Sequence, residues 1–193
     1  VSADRAAYDC SLLLTVRAGA RSQLPLNDMS VTTPPGRTHM YYTGTPEFAF
    51  GTGLSYSEFS LEMVESASAA AVDMAAQTQL EYKLKLSHRA GPPGKRTILA
   101  FWKPHAPRTE PGAVPLKQKL FGFASATLAA GEASTLSFTL NSDALAVANA
   151  DGHKMLHAGD FTISFTDGHD VNVEAALTVT GEGARLVEPY PQQ

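Results

Sequence analysis

The sequence predicts an all-β protein, a β-sandwich preceded by an irregular connector. Three observations support this prediction. Apolar and polar residues alternate with a period of two in several segments, as in half-buried strands. Turn-forming Gly, Pro and Asp residues separate those segments at regular intervals. Helix-like composition is confined to an Ala-rich stretch at 66–76 and a short segment at 143–148.

The strand predictions differ in clarity along the chain. The clearest strand covers residues 79–88, where four apolar side chains lie on one face and polar ones on the other. Residues 98–102 are continuously apolar, as expected of a central strand. Weaker alternation predicts further strands at 58–64, 120–123, 136–140, 161–165 and 171–179. About seven strands with regular turns indicate a sandwich of immunoglobulin or fibronectin type III kind.

Three local predictions accompany this framework. The Ala-rich stretch at 66–76 predicts a helical linker or insertion between the first two strands. Residues 143–148 predict a single helical turn. The alternation along 171–179 slips at residues 175–176, which predicts a β-bulge there.

Bulk composition limits the function classes. With 44% apolar and 18% charged residues, the 193-residue chain has enough apolar material for one packed domain with extra segments. The net charge is −4 and the basic residues are scattered, so no nucleic-acid partner is predicted. No apolar run approaches the ~20 residues of a membrane-spanning helix. Cys10 is the only cysteine, which excludes an internal disulfide.

Residues 32–56 form a segment of different composition. Pro and Gly interrupt regular structure here, yet the segment is rich in large rings, which have to be buried somewhere. One interpretation is a loop folded over its own domain, and the favoured one is a connector packed between two domains. The residues expected to make these contacts are Arg37, Thr38, Tyr41, Tyr42, Phe48, Phe50, Gly51, Gly53, Leu54 and Tyr56.

Motifs for catalysis or metal binding are incomplete in this chain. Residues 53–57, Gly-Leu-Ser-Tyr-Ser, end in Ser where a hydrolase nucleophile elbow has Gly. His153 and His157 are four residues apart, but turn residues flank them, so exposed loop histidines are favoured over a metal site. No pair among the Asp and Glu residues is marked as catalytic. We therefore predict no catalytic residue, no metal site and no cofactor.

Aromatic side chains leave a weak prediction of sugar stacking. Trp102 and Tyr42 could form such a platform, as in carbohydrate-binding modules. Trp102, however, ends an apolar strand, which favours a role in the core or at an interface.

The connector motif resembles that of family-3 glycoside hydrolases. The matching run is Pro-Gly-Arg-Thr at 35–38, Tyr-Tyr-Thr-Gly at 41–44, and Phe-Gly-Thr-Gly-Leu-Ser-Tyr-Ser-Glu-Phe at 50–59. Residues 24–29, 98–104 and 115–123 are similar to segments of the β-xylosidase branch, and 128–140 and 159–161 to the closing strands. His39 and Met40 depart from the usual Tyr-Arg. The similarity covers most of the chain.

The resemblance implies a domain organisation and a role. Residues 1–31 would be a remnant of a preceding α/β sandwich domain, 32–56 the interdomain connector, 57–182 a fibronectin type III-like sandwich, and 183–193 a C-terminal tail. In this family the nucleophile and the acid/base group belong to the two domains that precede the connector. The chain is therefore expected to be inactive alone, to brace the missing catalytic domains, and to self-associate through exposed connector surface.

The implied parent is a β-xylosidase or β-glucosidase hydrolysing terminal β-linked sugars in carbohydrate metabolism. The sequence does not determine its compartment, although an extracellular or lysosome-like one would suit it. The alternative is a free-standing carbohydrate-binding or protein-interaction β-sandwich module. A general interaction domain leaves the aromatic pattern of the connector unexplained, so it is the least favoured.

Overall fold

The computed structural model describes residues 30–66, 71–106 and 115–190. The elements that position the connector and the sandwich are nearly all strands, which confirms the all-β prediction. They are α1 (Thr38–Tyr41), β1 (Glu58–Glu65), β2 (Ala71–Asp73), β3 (Gln79–Ala90), β4 (Gly94–Pro104), β5 (Lys119–Leu128), β6 (Ala133–Asn141), a 3₁₀ helix (Ser142–Leu145), β7 (Val147–Ala148), β8 (Lys154–Thr166) and β9 (Asn172–Glu188). In the described part of the chain no helix is long and apolar enough to cross a membrane.

The strands form two sheets. The smaller sheet has the order β1-β3-β6, and the larger has the order β2-β9-β8-β4-β5, with β7 paired to β8. All pairings are antiparallel except that of β2 with β9. Two sheets of alternating strands packed face to face form a β-sandwich.

The core lies between the inner faces of the two sheets. Strand β3 contributes Leu80, Tyr82, Leu84 and Leu86, all at most 2% exposed, as its alternation predicts. Phe165 of β8 reaches across, with its ring 5.3 Å from the Tyr82 ring. Burial of these side chains supplies the main free energy of folding.

The predicted helix at 66–76 is wrong where the structure describes it. Residues 71–73 form β2, whose Val72 pairs with Val179 of β9 and is 2% exposed. Met74 is also buried. The burial of alternate side chains against β9 outweighs the helix propensity of alanine, which is a weak preference. The short helical turn was expected at 143–148 and is a 3₁₀ helix at Ser142–Leu145.

Two details of β8 and β9 also differ from expectation. The predicted bulge at residues 175–176 is wrong, because the register with β8 is unbroken there and shifts between His157 and Gly159 instead. Ala175 lies on the core-facing side of β9, as the larger Val173 and Leu177 do, and packs against the core. Strand β9 extends to Glu188, so residues 183–188 belong to the sheet rather than to a tail. Cys10 and residues 1–29 of the predicted N-terminal remnant lie outside the described residues.

Candidate functional site

The connector covers part of the outer face of the larger sheet. In β4, Ala100 and Trp102 point into the core, so Phe101 points outward. Phe101 is nevertheless only 1% exposed. The rings of His39 and Phe50 lie against it, with centroids 5.8 and 6.0 Å away, and stack on each other at 4.1 Å. Three rings from two segments thus form a small second core outside the sandwich.

Hydrogen bonds fasten the connector at further points. The backbone N–H of Lys117 donates to the carbonyl of Met40 at 2.7 Å. The hydroxyl of Thr52 donates to the carbonyl of Gly168 at 2.8 Å. Closer to the sandwich, the Ser57 hydroxyl donates to the carbonyl of Pro92. These bonds hold the connector along β4 toward the turn between β3 and β4.

The turn between β8 and β9 is organised by one carboxylate, that of Asp167. Its Oδ1 accepts hydrogen bonds from the backbone N–H groups of His169, Asp170 and Val171 at 2.9 to 3.1 Å. Its Oδ2 pairs with the guanidinium of Arg96 on β4. The two side chains are only 2% and 10% exposed, so the pair is shielded from water and from salt.

These contacts determine the pKa of Asp167. Burial by itself raises the pKa of this carboxyl group. The backbone N–H groups of His169 and Val171 and the charge of Arg96 act in the opposite direction and prevail, so the pKa lies below its ordinary value of 3.8. The carboxylate therefore stays ionised at neutral pH and holds the turn in place.

Gly168 brings this turn into direct contact with the connector. It has a positive φ of 82°, and a Cβ placed there would lie 2.5 to 2.7 Å from the backbone of Phe50, Gly51 and Thr52. The turn and the connector therefore touch backbone to backbone. Only glycine allows this approach, because any side chain at this position would have to displace the connector.

A groove of about 520 Å³ opens between the connector and the sheet. Its walls combine ring surface with cationic and hydroxyl groups. The lining residues are Thr38, His39, Met40, Tyr42, Pro46, Ala49, Phe50, Phe101, Lys103, Lys117, Gln118, Ser164, Thr166, Gly168, His169 and Asn172. Burial lowers the pKa of His39, which favours the neutral imidazole that stacks on Phe50. The size is within the range of small-molecule sites.

The last part of the connector presents two large side chains to solvent. Leu54 is 97% exposed and Tyr56 95% exposed. The backbone around them is held, since Ser57 N–H donates to the Ser55 hydroxyl at 3.1 Å and the Ser57 hydroxyl to Pro92. We call Leu54 and Tyr56 the exposed pair.

The structure divides the predicted connector residues into three groups. Thr38, Tyr42 and Phe50 line the groove, and Phe50 also contacts Phe101. The exposed pair and the 42% exposed Phe48 point to solvent. The remaining predicted residues have no side-chain role in the groove: Arg37, Tyr41, Gly51 and Gly53.

The sugar-stacking prediction needs a correction at Trp102. Its ring is fully buried, edge-on to Phe161 and with the ammonium of Lys119 5.9 Å from its centroid. It therefore has no free face for a sugar. His153 accepts a hydrogen bond from the Tyr190 N–H at 2.8 Å, and His157 lies in β8. The described residues contain no group of three His, Cys, Asp or Glu side chains placed to hold a metal.

Sequence reasoning missed several residues of the site. Phe101 was interpreted as part of a core strand, and Asp167 and Gly168 only as a turn signal. The sequence signal for the covered position of Phe101 was the unbroken apolar run at 98–102, because such a run indicates a strand that is covered on both faces. Nothing local in the sequence shows that Arg96, 71 residues away, pairs with Asp167.

We predict that Gly168→Ala displaces the connector. Gly131 has a similar positive φ of 79°, but a Cβ placed there would meet no atom within 4 Å, so Gly131→Ala is the matched control. We expect the control to lose ~1 kcal/mol of unfolding free energy, and Gly168→Ala to lose a further 1–3 kcal/mol or so through the clash. Urea unfolding measures both. Equal losses would show that the turn does not support the connector.

We predict that Asp167→Asn destabilises the protein by ~3 kcal/mol at pH 7, because Arg96 loses its buried carboxylate and keeps only the exposed carboxylate of Asp170 as a charged partner. A carboxyl with a lowered pKa adds stability that is fully present above its ordinary pKa of 3.8 and lost as the pH falls through the lowered value. The difference in unfolding free energy between the parent protein and Asp167→Asn should therefore narrow below pH 3.8.

The control is Glu62→Gln, which removes an exposed ion pair with Arg89. It should change stability by at most ~1 kcal/mol. Urea unfolding between pH 2 and pH 7 measures all three proteins. If the difference in unfolding free energy between the parent and Asp167→Asn stayed constant from pH 2 to pH 7, Asp167 would not be the source of the acid-sensitive stability.

Comparison with known proteins agrees with this architecture. Residues 104–167 match the fibronectin type III-like domain family. A probable exo-1,4-β-xylosidase of Aspergillus terreus is 29% identical over an alignment of 187 positions, and the match covers 89% of this chain and 23% of that protein. The exo-1,4-β-xylosidase of Aspergillus oryzae is 28% identical, over 82% of this chain and 21% of that protein. The chain thus spans about a fifth of the length of these relatives.

Solved structures show the same fold. A β-glucosidase of Listeria innocua in complex with glucose superposes with a TM-score of 0.62 at 21% identity, over 73% of this chain and 19% of that chain. A β-glucosidase of Kluyveromyces marxianus in complex with glucose gives 0.61 at 18% identity, over 76% and 17%. Residues 104–167 therefore match a fibronectin type III-like domain, most of the chain is similar to about a fifth of exo-1,4-β-xylosidases, and β-glucosidases of known structure share its fold.

Proposed function

We propose that this chain is the non-catalytic accessory region of a β-xylosidase-like or β-glucosidase-like hydrolase that acts on terminal β-linked sugars. Its role is to brace the catalytic domains, which correspond to the other four-fifths or so of the relatives' length. The observation that carries this proposal is the exposed pair. Leu54 and Tyr56 lie almost wholly in solvent within a connector that is otherwise fastened to the sandwich.

The exposed pair has the properties of a docking surface. A Leu side chain gains about 1.5–3 kcal/mol on burial, and Tyr is among the residues enriched at interfaces. The hydrogen bonds of Ser57 fix the backbone beside the pair. This segment therefore loses little further conformational entropy when a partner covers its side chains, which favours association.

The carboxylates of the described residues support a non-catalytic role. A general acid in glycoside hydrolysis needs a raised pKa. The two carboxyl groups with a clear shift, Asp167 and Glu174, have lowered pKa values instead. For Glu174 the main cause is the hydrogen bond from Lys103. Both groups serve as partners of cations on β4.

The alternative, a free-standing sugar-binding or protein-interaction module, receives less support. Trp102, its main predicted platform, is buried. The same exposed pair would also drive association of isolated copies, which we propose as the behaviour of the chain without its catalytic domains.

A chimera tests the bracing role. The region of the Aspergillus terreus relative that matches this chain is deleted, or replaced by this chain. We expect the deletion to abolish hydrolysis of an aryl β-xyloside and the chimera to restore it, while the isolated chain releases no sugar from aryl xyloside or glucoside. Sugar release by the isolated chain, or full activity of the deletion variant, would overturn the proposal.

The double variant Leu54→Ser, Tyr56→Ser tests the docking surface within the chimera. We expect its melting temperature to fall, by no more than about 2–4 °C for each kcal/mol lost, because the domain interface loses two apolar contacts. Val64→Ser on β1, at 61% exposure, is the matched control and should change nothing. In the isolated chain the double variant should reduce self-association, measured by light scattering, without loss of stability. Equal melting temperatures for the chimera with and without the double substitution would show that the exposed pair does not lie in the domain interface.

A further inference from the structure

The groove is separate from the exposed pair and is formed by this chain alone. It lies beside Phe101, whereas Ser57 and Tyr56 lie beside the Pro92 and Gly91 end of the sheet. Phe101 and Gly94 are seven positions apart along β4, which at 3.3 Å per residue is about 23 Å. A site in the groove therefore does not depend on the proposed docking of catalytic domains.

The groove is lined by cationic side chains, although the whole chain is negatively charged. The protein carries a net charge of −4, yet among the described residues that line the groove there are two lysines and two histidines and no Asp or Glu. Lys103 is paired with Glu174 at 2.9 Å, and His169 with Asp170 at 3.2 Å. The ammonium of Lys117 has no ion pair or side-chain hydrogen bond with any described residue. Within the described part of the chain, this ammonium is therefore available to an anion.

Neutral groups of the groove suit a ligand that also carries hydroxyls. The side-chain amide of Gln118 lies beside Lys117 in sequence and has no hydrogen-bond partner among the described residues. An amide supplies both donors and acceptors, as sugar hydroxyls require. Phe50, still 38% exposed, and Tyr42 add ring surface, against which the apolar face of a sugar can pack.

We propose that the groove binds a carboxylated sugar, a uronic acid of one or two units. The carboxylate pairs with Lys117, the hydroxyls bond to Gln118, and the ring packs near Phe50. A bare inorganic anion would use only the ammonium and leave the amide and the rings unused. A neutral sugar would leave the ammonium unpaired.

Three probes separate these cases in titrations followed by amide NMR shifts and calorimetry. They are methyl β-glucuronide, methyl β-glucoside, which differs by having CH₂OH in place of the carboxylate, and inorganic phosphate. We expect the glucuronide to bind about fivefold or more tightly than the glucoside, as one charged contact allows. The shifted amides should be those of Lys117, Gln118 and their neighbours in the groove.

Lys117→Gln should weaken glucuronide binding about fivefold and leave glucoside binding unchanged. The matched control is Lys85→Gln on β3, which makes the same change of charge on the other sheet and should have no effect. Neither position is buried, so both variants should melt like the parent. Phosphate binding as tight as glucuronide binding would reduce the site to a simple anion site and overturn the proposal. Equal affinity for both sugars, no binding, or indifference to Lys117→Gln would overturn it as well.

Discussion

The pairing of Arg96 with Asp167 links the three parts of the molecule. Arg96 belongs to β4, Asp167 begins the turn between β8 and β9, and that turn supports the connector through Gly168. The same carboxylate accepts three backbone N–H groups, so the charge pair and the turn depend on each other. A buried ion pair adds little net stability compared with apolar groups, but it is costly to break. Its value here is that it fixes one turn geometry against which the connector packs.

Strand β4 shows why this arrangement needs an apolar outer face. Its inner residues, such as Trp102, fill the core, and its outer Phe101 would otherwise be in water. His39 and Phe50 cover Phe101, so the connector gains a hydrophobic contact of its own. The contact requires the connector to follow β4, and the hydrogen bond from Thr52 to Gly168 then sets its position along the strand. The connector is thus part of the folded unit.

This attachment gives the two halves of the connector different properties. The first half is committed to the sandwich and forms one wall of the groove. The second half is held by its backbone but leaves Leu54 and Tyr56 in solvent. A brace between domains needs both properties, a firm attachment on one side and an unsatisfied apolar surface on the other. Of the rings predicted to pack between two domains, Phe50 packs against Phe101 within this chain.

The sequence by itself determined the fold class and the relationship to glycosidases. Because the side-chain period of a strand is two, the regular alternation of apolar and polar residues along β3 predicts which of its side chains face the core. The connector motif was equally readable, because it is local and long. Where alanine dominates, the pattern is weak, and only the pairing of β2 with β9 decided that Val72 lies in a strand. Tertiary structure also decided which way Phe101 points, that Trp102 is enclosed, and that Arg96 meets Asp167. These contacts join segments far apart in sequence, and their energies depend on distance in space, which no local pattern encodes.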